Sequence, residues 1–218
     1  MNEATYESFL ALQPRGNGHL TVHTPNKETF VFRDINLDFI AGACPLLAFS
    51  FEDGAKGHRR LSINASSIEL VARFLRFLYT DSYEFIDDQG WELPCSFVLH
   101  AQLFHYAELY DVPLLLNAAY MHISQICELG CSMPTAPIGL CETLRYLYQN
   151  VKSGREVHET ILHYCVAMFN AHKLGENPEF IRLLTEVKEC QQDLHKLNME
   201  RGFRDESELS PTLDIFRC

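Results

Sequence analysis

The 218-residue sequence contains no uninterrupted apolar run approaching the roughly 20 residues that a membrane-spanning helix requires. Its first residues, MNEATYESFLALQPRG, lack the basic segment and the longer apolar run of a secretory signal peptide. These absences predict an intracellular protein of the cytoplasm, the nucleus or both, which is not secreted and has no membrane partner.

Basic residues are scarce as well, since 18 Lys and Arg stand against 29 Asp and Glu, and the formal net charge is −11. An acidic surface repels phosphate backbones, so we expect no nucleic-acid partner. The one short basic stretch, KGHRR at 56–60, is typical of a solvated loop.

Sequence motifs of catalysis are missing: there is no P-loop, no G-x-S-x-G, no HExxH and no C-x-x-C pair. The spacing of Cys127, Cys131 and Cys141 invites a zinc interpretation, but small buried thiols explain these residues better. We expect all eight cysteines to be reduced and metal-free, with Cys127 and Cys165 buried and inert. No enzyme activity, metal or cofactor is predicted; a Cys/His metal protein or thiol enzyme is the alternative of another class.

The sequence does contain ordinary globular material, with 47% hydrophobic and 22% charged residues, enough to bury a sizeable core. Alternating apolar residues on both sides of a polar TPNKE turn predict strands at about 19–23 and 29–32, and LSI predicts a third at 61–63. Between them, DINLDFIAGACPLLAFSF predicts a helix capped by Asp34 and interrupted at Pro45.

Apolar residues then recur at three- and four-residue spacing, which is the period of one helix face. They predict helices at roughly 66–79, 97–109 and 112–127, and two further short helices around 178–187 and 190–200. Five leucines are expected to be buried in the resulting core: Leu75, Leu78, Leu103, Leu109 and Leu115.

The stretch ELYDVPLLLNAAY joins two of these helices without a loop. Pro113 fits the first turn of the second helix, and it disfavours helical backbone at Val112, so the first helix must end there. Asp111 is expected to cap the second helix. A tight corner between two helices that share a core is therefore predicted.

Three segments carry a family resemblance. IELVARFLRFLYTDSYEF is similar to a helix that ends in Leu-Tyr-Thr-Gly-x-Tyr, and LHAQLFHYAELYDVPLLLNAA to a helix pair built around Ala-Asp-Lys-Tyr-Asp-Val-x-x-Leu. FVFRDINL stands where the same family has Phe-x-Val-His-Lys-x-x-Leu. Taken together, and in the order in which they occur along the chain, the three segments resemble a BTB/POZ domain. The matched core positions are Phe30, Leu37, Leu78, Tyr79, Ala107, Leu109, Tyr110, Asp111, Val112 and Leu115.

The resemblance implies an α+β fold, with a small three-stranded sheet on a mainly helical core and an α-helical extension after it. CELGCSMPTAPIGLCETLRYLYQN is similar to the helical tail of filamentous-fungal BTB proteins, which carry no further effector domain. The implied segments are a loose leader at 1–17, the BTB/POZ-like domain at 18–128, the helical extension at 129–204 and an acidic tail at 205–218.

The function implied is that of a non-enzymatic protein–protein interaction module, which forms a homodimer, binds a partner protein, or does both. A substrate adaptor for a cullin-type ubiquitin ligase is a narrower alternative; FSFED only approximates the hydrophobic-x-Glu signature, because Glu52 directly follows Phe51. Asp34 stands where repressor members of the family carry a base, so corepressor binding of their type is not expected.

The predicted helix from Asp34 to Cys44 is our candidate interaction surface. Its Leu37, Ile40 and Ala41 are expected to face the core, whereas Ile35 and Phe39, four residues apart, are expected to project together from another side. Exposed apolar neighbours of this kind favour a covering partner. The alternative is that the N-terminal leader folds back over them with Phe9, Leu10 and Leu12.

Overall fold

A computed structural model describes residues 6–54, 57–87 and 89–200, so the predicted acidic tail lies outside the described part of the chain. The fold is α+β, as predicted, with a small mixed sheet and many helices. The described residues divide into two compact units: one holds those up to 95 together with 103–118, and the other holds 96–102 together with 119–200. Among the described residues, no helix is both long enough and apolar enough to span a membrane.

The sheet in the first unit has four strands in the order β2-β1-β4-β3, and their ranges are Gly18–His23 (β1), Thr29–Ile35 (β2), Glu52–Asp53 (β3) and Arg59–Asn64 (β4). β1 and β2 form the predicted antiparallel hairpin, and β4 pairs with β1 in parallel. The hairpin buries Leu20, Val22 and Phe32 on one face, which is the side-chain alternation that the sequence predicts.

The three predicted strands form where the sequence places them. The prediction misses β3, a two-residue edge strand that pairs with β4 in antiparallel. Both of its residues are exposed and charged, so they show no apolar alternation from which a strand could be predicted. The sheet is therefore one short strand wider than expected.

Three helices of the first unit follow the hairpin or the sheet: Leu37–Ala43 (α1), Pro45–Phe49 (α2) and Ile68–Thr80 (α3). The predicted interruption at Pro45 is confirmed, because α2 begins with that proline. The predicted cap is wrong: the Asn36 side chain, not Asp34, accepts a hydrogen bond from the Phe39 N–H at 3.0 Å. Asp34 instead lies inside β2 with a φ of +58°.

The helices on either side of the corner also form where the sequence predicts them, at Phe97–Leu109 (α4) and Pro113–Gly130 (α5). Of the five leucines expected in the core, four are buried and Leu109 is not, since 58% of its surface is exposed. The prediction for Leu109 is therefore wrong.

Further α-helices in the described part of the second unit are Leu140–Asn150 (α6), Arg155–Ala167 (α7), Pro178–Glu186 (α8) and Lys188–Glu200 (α9). The last two confirm the helices predicted around 178–187 and 190–200. Their buried faces carry leucines and cysteines at helical spacing, such as Leu183 on α8 with Cys190 and Leu194 on α9.

Candidate interaction surface

The surface expected from Ile35 and Phe39 does not form. β2 extends to Ile35, which is fully buried, and α1 begins only at Leu37, so the two residues do not share a helix. Phe39 is half-buried, and its ring centroid lies 5.2 Å from that of Tyr79. Leu37 and Ile40 face the core as expected.

The N-terminal leader covers this region instead. Residues 8–12 form a 3-10 helix whose Phe9 is fully buried, with its ring in edge contact with Tyr79 at 5.4 Å. The Tyr79 hydroxyl accepts a hydrogen bond from the Asn36 N–H at 2.8 Å. Burial raises the pKa of Tyr79, so its phenol stays neutral. These contacts support the alternative of a folded-back leader, although Leu12 is exposed.

The corner between α4 and α5 depends on a residue whose backbone has the left-handed conformation. Asp111 has a φ of +53°, and its N–H donates to the Glu108 carbonyl at 3.3 Å, while the Val112 N–H donates to the Ala107 carbonyl at 2.8 Å. This is the Schellman pattern, which ends a helix. Asp111 therefore terminates α4, and the prediction that it caps α5 is wrong. Pro113 then begins α5, where its missing N–H is tolerated.

Cys44 connects this corner to the junction of α1 and α2. It is fully buried, and its thiol donates to the Tyr110 carbonyl at 3.5 Å. Burial raises the pKa of the Cys44 thiol, and the nearby Asp111 carboxylate raises it further. The thiol is therefore a neutral donor that holds two turns of the chain together.

Four large apolar side chains are exposed around this contact. Leu46 and Phe49 on α2 are 50% and 81% exposed, and Leu109 and Leu114 on either side of the corner are 58% and 66% exposed. All four lie within five residues of Cys44 or Tyr110 along the chain. We call these four residues the corner patch. Leu46 and Phe49 are three residues apart on α2 and so share one helix face. Several large exposed apolar side chains near one contact are typical of an interaction surface, whereas single exposed leucines are not.

The residues matched to the family motifs are mostly structural. Tyr110 is half-buried and its ring stacks on Phe74 at 5.2 Å, Phe30 is also half-buried, and Asp111 is exposed. Together with the exposed Leu109, these are the matched residues that are not buried. The buried motif residues are Leu37, Leu78, Tyr79, Ala107, Val112 and Leu115.

Arg73 is a structural residue that the sequence analysis missed. Its side chain is fully buried on α3, and its guanidinium donates to the Glu69 carboxylate at 2.9 Å and to the carbonyls of Tyr83 and Pro94 at 3.2 Å each. A buried charge is tolerated when its donors are satisfied in this way. The i,i+4 spacing of Glu69 and Arg73 was the available signal.

The segment that Arg73 anchors carries a second exposed apolar site. Ile86 bridges to Glu92 in an antiparallel pair, and the Asp87 carboxylate accepts hydrogen bonds from the N–H groups of Gln89 and Trp91. Ile86 and Trp91 are 56% and 70% exposed on this small hairpin. They serve below as a matched control for the corner patch.

The cysteines of the described chain are free thiols, and Cys127 and Cys165 are buried as predicted; Cys218 lies outside it. Burial raises the pKa of Cys127 and Cys190 to about 12 and that of Cys141 to about 11, and it raises the pKa of Cys165 well above the ordinary value. Thiols with such pKa values are not nucleophiles at neutral pH. No three His, Cys, Asp or Glu side chains of the described residues are placed to hold a metal ion.

Neither of two comparisons relates this chain to a known protein: no family model matches it, and no curated protein is significantly similar to it.

Proposed function

We propose that the chain is a non-enzymatic protein–protein interaction module of the BTB/POZ kind, and that it self-associates through the corner patch. The motifs that resemble this family fall on α3 and on the corner of α4 and α5, and most of their residues are buried. The observation that carries the proposal is the exposure of Leu46, Phe49, Leu109 and Leu114, each within five residues of Cys44 or Tyr110, which contact each other.

A second copy is a suitable occupant for physical reasons. Apolar surface gains free energy in proportion to the area removed from water, at about 25 cal/mol per Å². When two copies meet across a two-fold axis, the same patch is buried twice by one contact. Because each copy has a net charge of −11, added salt screens their repulsion and should strengthen the association.

The test is light scattering of the full chain during size-exclusion chromatography, from low to high micromolar concentration. We expect the mass of the wild type to rise with concentration and the double variant Leu46→Ser, Phe49→Ser to stay monomeric. The control is Ile86→Ser, Trp91→Ser, which removes equally exposed apolar side chains from the hairpin. A monomeric wild type, or equal loss of association in both variants, contradicts the proposal.

The cullin-adaptor alternative gains less support. Phe51, the hydrophobic residue before Glu52, is buried and offers no side chain to a partner. Phe49 is exposed, but two residues separate it from Glu52, where the signature has one. A cullin scaffold that binds the chain and loses binding on Phe49→Ser would favour this alternative.

A thiol enzyme is the alternative of another class. It requires a thiolate near a base, and burial raises the pKa values of Cys127, Cys141, Cys165 and Cys190 instead. Their chemistry is that of core residues.

A further inference from the structure

A groove in the second unit lies between α5 and α7 and has a volume of about 540 Å³. One wall is formed by residues 120–130 of α5 and by Cys131 directly after it, and the other by residues 156–167 of α7. Each wall spans twelve residues, which are separated by eleven steps of about 1.5 Å, so the groove runs for about 16 Å, or three helical turns. This length suits a short helix laid along it.

The floor of the groove is neutral and internally hydrogen-bonded. The hydroxyls of Tyr120 and Thr160 join the two helices at 3.0 Å, and the Tyr164 hydroxyl bonds to His172 Nδ1 at 2.7 Å. Burial raises the pKa of Tyr164, which keeps its phenol protonated. A Cβ on Gly130 would meet the Tyr164 ring at 3.0 Å, so the two helices approach closely here. The floor therefore consists of hydroxyl groups that already have hydrogen-bond partners.

The walls of the groove carry negative charge. Glu128, Glu156 and Glu159 line it together with His163, and no Lys or Arg of the described residues does. Glu159 is paired with Arg155 at 2.7 Å, whereas Glu128 and Glu156 are exposed and have no ion-pair partner among the described residues. Met121, seven residues before Glu128 on the same face of α5, adds a 55% exposed apolar side chain beside the groove.

We infer that this groove binds a basic amphipathic helix of a partner protein. Lysine or arginine ends of such a helix complement Glu128 and Glu156, and their aliphatic stems or apolar neighbours cover Met121. A second copy of this chain, with its net charge of −11, is a poor occupant of this groove because the groove itself is lined by glutamates, whereas the corner patch consists of apolar side chains. The inference rests on the proposed interaction function, but it concerns a different surface from the corner patch.

The test uses the full chain and two synthetic fluorescein-labelled peptides of about 14 residues, which form a helix of about 21 Å. One carries lysine and leucine at helical spacing, and the other has every lysine replaced by glutamine. We expect the lysine peptide alone to raise the fluorescence anisotropy in a saturable way, and added salt to weaken its binding. Absence of saturable binding of the lysine peptide, or equal binding of both peptides, overturns the inference.

Matched variants distinguish peptide binding in the groove from nonspecific attraction to the negative charge of the whole chain. Glu128→Gln, Glu156→Gln removes the two unpaired carboxylates, and Glu142→Gln, Glu189→Gln removes two exposed carboxylates of α6 and α9, so both variants have the same net charge. We expect the groove variant to bind the lysine peptide about tenfold more weakly and the control to bind as the wild type does. Equal affinity in all three proteins, or equal weakening in both variants, overturns the inference.

Two further measurements tell this inference apart from the proposed function. The groove variant should keep the thermal midpoint and the concentration-dependent mass of the wild type, and Leu46→Ser, Phe49→Ser should keep its peptide affinity. Loss of peptide binding in this corner variant would overturn the inference of a separate groove site. If the chain does not self-associate but still binds the peptide through the groove, only the proposed function is contradicted.

Discussion

Two aspartates show how the chain turns at helix ends without glycine. Asp81, at the end of α3, and Asp111, at the end of α4, have φ values of +57° and +53°. This left-handed region costs most side chains about 1–2 kcal/mol, although aspartate tolerates it better than most. Glycine adopts this conformation without the steric cost of a side chain.

At the residue scale, Asp81→Gly should stabilise the fold by about 0.5–1 kcal/mol, because glycine adopts the left-handed conformation without steric cost. The measurement is the free energy of unfolding in urea. Asp38→Gly is the control, since Asp38 lies exposed in the first turn of α1, where glycine should destabilise instead. A loss of stability in Asp81→Gly would show that its side chain matters more than its backbone.

A second prediction concerns the buried guanidinium. Arg73→Met should lower the free energy of unfolding by about 3 kcal/mol, because the carbonyls of Tyr83 and Pro94 lose their donors and Glu69 loses its partner.

The control for Arg73 is Arg155→Met, which also breaks an i,i+4 pair with a glutamate but is 76% exposed. Exposed pairs contribute at most about 1 kcal/mol, so this change should have little effect. Similar losses in the two variants would rule out the anchoring role of Arg73.

At the scale of elements, apolar residues at helical spacing sufficed to predict α3, α4 and α5, because each helix is long and rich in buried apolar residues. α4 is buried on most of its sides rather than along one stripe. The errors lie at ends and edges, where periodicity carries no information. Asn36 rather than Asp34 caps α1 because β2 continues through Ile35, and that depends on pairing with β1. The corner patch could not be predicted for the same reason, since its exposure depends on how the turns at Cys44 and Tyr110 meet.

Leu109 shows that helical spacing alone does not predict which residues are buried. It stands six residues after Leu103, which is about 240° around the helix axis, so the two side chains lie on different sides of α4. Leu103→Ala should therefore cost on the order of 2–5 kcal/mol of folding free energy, as expected for a fully buried leucine. Leu109→Ala should cost less than about 1 kcal/mol. Urea unfolding of the two variants compares them directly, and equal costs would contradict the burial pattern.

At the scale of the whole molecule, the buried thiols and phenols predict alkaline sensitivity. Burial raises the pKa of Cys95, Cys127 and Cys190 from 9.0 to about 12 in the folded chain. Unfolding exposes these groups, so the unfolded chain loses its protons first as the pH rises. The stability they contribute is present below about pH 9 and is lost progressively towards about pH 12.

The pH prediction is checked by urea unfolding between neutral pH and about pH 10, where the free energy of unfolding should fall as pH rises. Cys127→Ala should make this fall shallower, because one of the shifted groups is gone. A free energy that is constant above pH 9 would contradict the burial of these thiols.

The central claim, self-association through the corner patch, is tested most directly by methyl NMR of leucine-labelled protein over a concentration series. We predict that the methyl resonances of Leu46, Leu109 and Leu114 shift together as concentration rises. Those of Leu12 and Leu129, which are 61% and 68% exposed elsewhere on the chain, should stay in place. Resonances that do not change with concentration, or shifts confined to Leu12 or Leu129, would contradict the claim.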